Sequence, residues 1–71
     1  MFTIYGQPRC SYCASAKKLL DNRGIQYKYI DISKDKSALT MLRDKGLRTV
    51  PQIWSENEVY IGGYEDLVRV L

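Results

Sequence analysis

A helix-forming stretch, Ser11 to Arg23, lies between two strand-forming stretches, Phe2 to Tyr5 and Ile25 to Ile32, and this succession restricts the fold more than any other feature. Phe2 to Tyr5 alternates apolar and polar positions and stops at Gly6-Gln7-Pro8, which reads as a strand and its turn. From Ser11 onward Cys13, Ala16 and Leu20 recur along one helical face, Leu19 lies beside it, and Gly24 follows as a C′ residue. Ile25 to Ile32 is rich in Ile and Tyr, suited to a pleated and largely buried surface. Two strands joined through a helix run parallel, with a right-handed crossover. The first half of the chain is therefore a βαβ unit.

The second half extends it. Ser33 or Asp35 caps a second helix whose apolar positions Ala38, Leu39 and Leu42 recur at helical spacing, before Lys45-Gly46 ends it over one sheet face. Gln52 to Trp54 and Val59 to Ile61, joined by Ser55-Glu56-Asn57-Glu58, form a hairpin. Gly62-Gly63 breaks the second of these strands, and Tyr64 to Leu71 forms a short closing helix. The expected order is βαβαββα, without repeats or linkers. The 71 residues suffice for one small domain, residues 1 to 71, with a core only just large enough to sustain it.

Charge and composition exclude several classes. Residues 1 to 48 hold ten Lys/Arg and four Asp/Glu, whereas residues 49 to 71 hold one Arg and four acids. The basic residues are scattered and match no nucleic-acid motif, so a solvated surface is expected and nucleic acid is not a partner. No segment has signal-peptide or transmembrane character, and two cysteines are too few for a disulfide scaffold, so a cytoplasmic location away from any membrane is expected. A zinc module is disfavoured as well, and no metal ligands are expected. With no histidine and two cysteines, four protein ligands cannot be assembled without oligomerisation or unusual carboxylates.

The two cysteines are paired as Cys10-Ser11-Tyr12-Cys13, where the first strand hands over to the helix. Residues three apart on a helix have Cβ atoms about 5 to 6 Å apart, close to the span of a disulfide. The loop such a bond closes is too short to remove much entropy from the unfolded chain, so stapling does not account for the pair. Cys10, at the helix start, meets unpaired N–H groups and the positive end of the macrodipole, which favour a thiolate. Cys10 is the expected nucleophile of thiol-disulfide chemistry.

Three motifs in order resemble those of the glutaredoxins, small members of the thioredoxin-like superfamily. Tyr5-Gly6 followed by Cys10-Ser11-Tyr12-Cys13 resembles the C-P-Y-C active site of dithiol glutaredoxins. Arg48-Thr49-Val50-Pro51-Gln52-Ile53 resembles the T-V-P segment with its cis proline, and Ile61-Gly62-Gly63-Tyr64-Glu65-Asp66 resembles the segment that holds glutathione. The resemblance implies a thioredoxin-like α/β fold, a mixed four-stranded sheet flanked by three helices. It further implies a monomeric thiol-disulfide oxidoreductase that uses glutathione as reductant and holds no tightly bound cofactor.

Under this resemblance Cys10 attacks protein disulfides or glutathione mixed disulfides, and Cys13 resolves the intermediate. Tyr12, Arg48, Thr49, Val50, Pro51, Gly63, Tyr64 and Asp66 contact glutathione: Val50 pairs with its backbone, Asp66 meets its ammonium, and Arg48 meets its glycine carboxylate. Arg9 is the alternative source of that positive charge. Trp54 packs beneath the sheet or hairpin. The sequence departs from the family pattern at Ser11, which replaces a proline, at Gln7, where many members carry Lys or Arg, and at Glu65, which replaces Ser or Thr.

Two other readings share the motif. One is a redoxin reduced by thioredoxin reductase that serves ribonucleotide reductase, favoured by the small size and the Asp31-Ile32-Ser33 stretch. The other is a dimer holding a [2Fe–2S] cluster through the first cysteine of each subunit and two glutathione thiols, suggested by Ser11.

Overall fold

The computed structural model describes all residues from 1 to 71. Strand β1 (Phe2–Gly6) leads to helix α1 (Ser11–Asn22), strand β2 (Tyr27–Asp31), helix α2 (Lys36–Asp44), the hairpin β3 (Gln52–Trp54) and β4 (Tyr60–Gly62), and helix α3 (Tyr64–Val70). The order is the one expected. The sheet runs β2-β1-β3-β4, with β1 parallel to β2 and antiparallel to β3, and β3 antiparallel to β4. The mixed four-stranded sheet and three helices follow from a βαβ unit joined to a hairpin.

The alternation in β1 sorts the core into two layers. Ile4 faces α1 and α3, where it packs with Ala16, Leu20, Ile53 and Leu67, all fully buried. Tyr5 faces the other side, where Ile32, Ala38 and Leu42 form a smaller cluster beneath α2. Trp54 joins this second layer, its ring edge-on to Tyr5 at 5.3 Å between centroids and 4.9 Å from Tyr60. It takes no part in the cleft described below.

Two strands differ from the sequence expectation and one choice of helix cap is settled, each for a local reason. The second strand is shorter and less buried than Ile25 to Ile32 suggested: β2 is an edge strand in which no residue is fully buried. Its expected first residues belong instead to the end of α1, where Gly24 adopts φ +67° and the Ile25 N–H donates to Leu20 O at 2.9 Å. Between Ser33 and Asp35, it is Asp35 that caps α2, its Oδ1 accepting the Ala38 N–H at 3.0 Å. Ser33 is held in a turn by Asp31, whose Oδ1 accepts both its N–H and its hydroxyl. The last strand starts one residue late, because Val59 closes the hairpin loop by accepting the Ser55 N–H.

Candidate active site

The β1–α1 turn brings Cys10 to the sheet end. Arg9 adopts a left-handed conformation, φ +64°, that reverses the chain just before the helix. Cys10 then serves as the N-cap of α1 with extended backbone, φ −110° and ψ 103°. Its sulfur occupies the position a serine or aspartate oxygen takes in other helices, accepting the Cys13 N–H at 3.1 Å. Cys10 and Cys13 are joined as a disulfide with Cα atoms 5.2 Å apart. Cys13, one turn on, is only 1% exposed, while Cys10 is half-buried. A partner can therefore reach Cys10, not Cys13.

Val50-Pro51 is a cis peptide, and the Val50 carbonyl oxygen lies 3.7 Å from Cys10 Sγ. From there a cleft of about 750 Å³ runs between the Arg48–Pro51 segment and the start of α3. All eight residues expected to contact glutathione line it: Tyr12, Arg48, Thr49, Val50, Pro51, Gly63, Tyr64 and Asp66. Three segments distant in sequence thus meet at one cleft, and Val50 on its wall brings it up to the Cys10 sulfur. The rings of Tyr12 and Tyr64 lie 5.8 Å apart and form an aromatic rim. Tyr12 projects further than a helix residue with a partly buried ring, at 58% exposed.

Charge is divided along the cleft, with Arg48 on one wall and Glu65 and Asp66 on the other. Of the two arginines weighed above, only Arg48 lies here; Arg9 faces a separate hollow on the far side of Cys10. Gln7 lies beside Arg43 and Arg48 in an adjoining groove of about 500 Å³. Asp66 is also part of the frame. Its Oδ2 accepts the Gly63 N–H at 3.2 Å and its Oδ1 meets Arg69 at 3.4 Å. The N–H of Gly63 is thereby occupied, and any acceptor at this end meets the next amides of α3 instead.

Two residues near the cleft escaped the sequence reading. Gln52 is 4% exposed; its amide nitrogen donates to Thr49 O and Oγ1 at 3.0 and 3.2 Å, and its oxygen accepts the Tyr60 hydroxyl. It ties the Thr49-Val50-Pro51 segment to the hairpin. The only trace of this in sequence is a polar residue opening an otherwise apolar strand. Tyr60 gave no trace at all, since its hydroxyl meets Gln52 only once β3 and β4 pair. Burial, then the charge of Asp66, raises the Tyr60 phenol above its ordinary value, so it remains a donor to Gln52.

A four-stranded mixed sheet with a Cys-x-x-Cys pair at a helix N-terminus, facing a cis proline, defines a redox domain of the thioredoxin-like class. The chain belongs to the glutaredoxin family, whose profile matches residues 2–61. It is 39% identical to a glutaredoxin of Neisseria meningitidis over 71 residues, covering 96% of this chain and 81% of that protein. It is 34% identical to hybrid peroxiredoxin hyPrx5 of Haemophilus influenzae, covering 94% of this chain but 27% of that longer protein. Among solved structures, the glutaredoxin-like NrdH-redoxin of Escherichia coli, described as having a thioredoxin-like activity profile, superimposes with a TM-score of 0.86 at 25% identity, covering 99% and 92% of the two chains. A buckwheat glutaredoxin in complex with glutathione gives 0.82 at 26% identity, covering 96% and 64%. No helix is long and apolar enough to cross a membrane.

Proposed function

We propose that the protein is a glutathione-dependent thiol-disulfide oxidoreductase with Cys10 as nucleophile and Cys13 as resolving thiol. The observation that carries this reading is the convergence of Tyr12, the Arg48–Pro51 segment and Gly63–Asp66 on one cleft beside Cys10 Sγ. In the reduced protein the Cys13 N–H and the N-terminus of α1 favour a Cys10 thiolate, the attacking species. That thiolate attacks a glutathione mixed disulfide, forming a new bond to one sulfur and releasing the other as a thiolate that takes up a proton. When the partner is a protein disulfide, Cys13 displaces the reduced protein from Cys10, and two glutathione molecules then regenerate the dithiol.

The cleft suits a peptide carrying charge of both signs. Arg48 provides for a carboxylate at one wall, and Asp66 for the ammonium at the other. Glu65 adds a second negative charge at the ammonium end. The protein works as a single-domain monomer in a reducing compartment such as the cytoplasm, with disulfide-containing proteins as partners.

One observation favours a second reading, a redoxin reduced by thioredoxin reductase that serves ribonucleotide reductase. The superposition on NrdH-redoxin spans nearly the full length of both chains. The [2Fe–2S] reading draws on no observation of this structure: a cluster takes four sulfur ligands, and with two cysteines in the chain it would need a second subunit and two glutathione thiols to complete the set.

A coupled assay separates the readings. The reduced nicotinamide cofactor is followed while the protein is offered either glutathione with its reductase or thioredoxin reductase alone. Turnover is expected with glutathione, lost in Cys10→Ser. Cys13→Ser is expected to retain activity on glutathione mixed disulfides and lose it on protein disulfides. Turnover with the flavoenzyme but not with glutathione would overturn the first reading in favour of the second.

A further inference from the structure

Cys13 is 1% exposed, and burial in apolar surroundings opposes a thiolate. On the side of α1 away from the glutathione cleft, a hollow of about 280 Å³ reaches both cysteines. Tyr29, Lys17 and Asp31 line it together with Arg9. A Cβ built on Gly6 would collide with the Tyr29 hydroxyl while standing 3.0 Å from Cys13 Sγ. The hydroxyl and the buried sulfur are thus separated by no more than the space of one methyl group, and glycine at position 6 keeps that space open.

Two further features make this phenol a donor without another task. The hydroxyls of Tyr27 and Tyr60 are committed to Asp21 and Gln52, whereas that of Tyr29 has no protein acceptor. The Lys17 ammonium sits 4.2 Å from the Tyr29 ring centroid, one helical turn beyond Cys13, fixing the ring and adding positive charge.

We infer that Tyr29, held by Lys17 and admitted by Gly6, donates a hydrogen bond to the Cys13 thiolate and lowers the barrier to the resolving step. This rests on the reading of Cys13 as the resolving thiol. In that step the Cys13 thiol gives its proton to water in the hollow, and its sulfur bonds to Cys10 Sγ. The bond from Cys10 to the substrate sulfur breaks, and the substrate leaves as a thiolate that takes up a proton. In the reverse direction Cys13 departs as the thiolate and Tyr29 stabilises the leaving group. Burial, then the charge of Asp31, holds the Tyr29 phenol above its ordinary value, so it keeps its proton and acts as a donor, not a base. The charged groups around Cys13 are Lys17 from α1, Arg9 from the preceding turn and Asp31 from β2, with the phenol of Tyr29.

The test is a titration of Cys13 itself, read from its Cβ chemical shift in reduced Cys10→Ser protein. Adding Tyr29→Phe is expected to move the midpoint upward and to cut the thiolate fraction at a fixed lower pH by about threefold or more, the range of one lost hydrogen bond. Lys17→Met is expected to move it less, with a shift that shrinks in high salt. Tyr27→Phe, on the same strand but bonded to Asp21, leaves it unchanged. An unchanged midpoint in Tyr29→Phe overturns the inference even if that variant is less stable, because loosened packing that admits water favours the thiolate and moves the midpoint down, opposite to the expected rise. Should Tyr29→Phe not fold, an unchanged midpoint in Lys17→Met overturns it. If Cys13→Ser keeps full activity on protein disulfides, the resolving role fails separately, and the titration still stands.

Discussion

Arg48 is the one positive side chain on the cleft wall facing Glu65 and Asp66, and it is exposed. An exposed charge pair contributes ~0.2–1 kcal/mol, so Arg48→Met is expected to raise KM for a glutathione mixed disulfide by up to about fivefold, with kcat nearly unchanged. The difference should narrow as ionic strength rises; steady-state kinetics at two salt concentrations check both points. Cys10 and Cys13 were legible in the sequence because their chemistry depends on local spacing and a helix start. Arg48 was legible through its position before Thr49-Val50-Pro51. Gln52 and Tyr29 were not legible, because Gln52 meets Tyr60 only when β3 and β4 pair, and Tyr29 comes up to Lys17 and Cys13 only when α1 packs on the sheet. A polar residue in a strand and a tyrosine in a β-rich run have ordinary explanations until the neighbouring strands are in place.

At the level of elements, α2 depends on its N-cap. The Ser37 hydroxyl, followed by the Ala38 N–H, holds the Asp35 carboxyl below its ordinary range. A carboxylate whose folded-state value is depressed stabilises the fold above its unfolded-state value and loses that contribution as pH falls through the folded-state value. Lowering the pH from 6 to about 3 should therefore reduce the melting temperature, and Asp35→Ala should be less stable at pH 6 yet lose less on acidification. Thermal unfolding at both pH values gives the comparison. The β3–β4 hairpin depends on Gln52 in the same way. Replacing it with Leu leaves the Thr49 carbonyl and the Tyr60 hydroxyl without a protein partner and is expected to destabilise by about 1–3 kcal/mol, measured by urea denaturation.

The elements were legible in kind and order because helical and strand periodicities are local. Their ends were less so. Ile25 reads as strand by composition, but its N–H is captured by Leu20 O; Ser33 and Asp35 are equally good caps on paper, and Asp31 settles the choice by engaging Ser33. The burial of β2 was overestimated, because Ile- and Tyr-rich composition does not distinguish a central strand from an edge strand.

On the scale of the whole molecule, two unequal core layers share one sheet, and α3 links the larger layer to the cleft. Leu67 is fully buried in that layer, three residues beyond Tyr64 at the aromatic rim. Leu67→Ala is expected to destabilise by about 2–5 kcal/mol, a large share of the ~5–15 kcal/mol typical of whole proteins. Chemical denaturation measures it. Nothing in the sequence showed that the layers would be unequal. The apolar positions of α1, α2 and α3 are visible in the chain, but only the strand order shows that two of these helices lie on one face and the third lies alone on the other.

That strand order also bears on how the chain is synthesised. Of the four strands of this sheet, β1 is the first to leave the ribosome, and it occupies an interior place, hydrogen-bonded to β2 on one side and to β3 on the other. It meets β2 only after α1 has been made, and β3 only once Trp54 has emerged. A nascent chain shorter than this carries Ile4 and Tyr5 on a strand with one flank unpaired, open to other chains. The cysteines leave the exit tunnel long before the Val50-Pro51 wall that will stand beside them, and through that interval Cys10 is a thiol without its cleft.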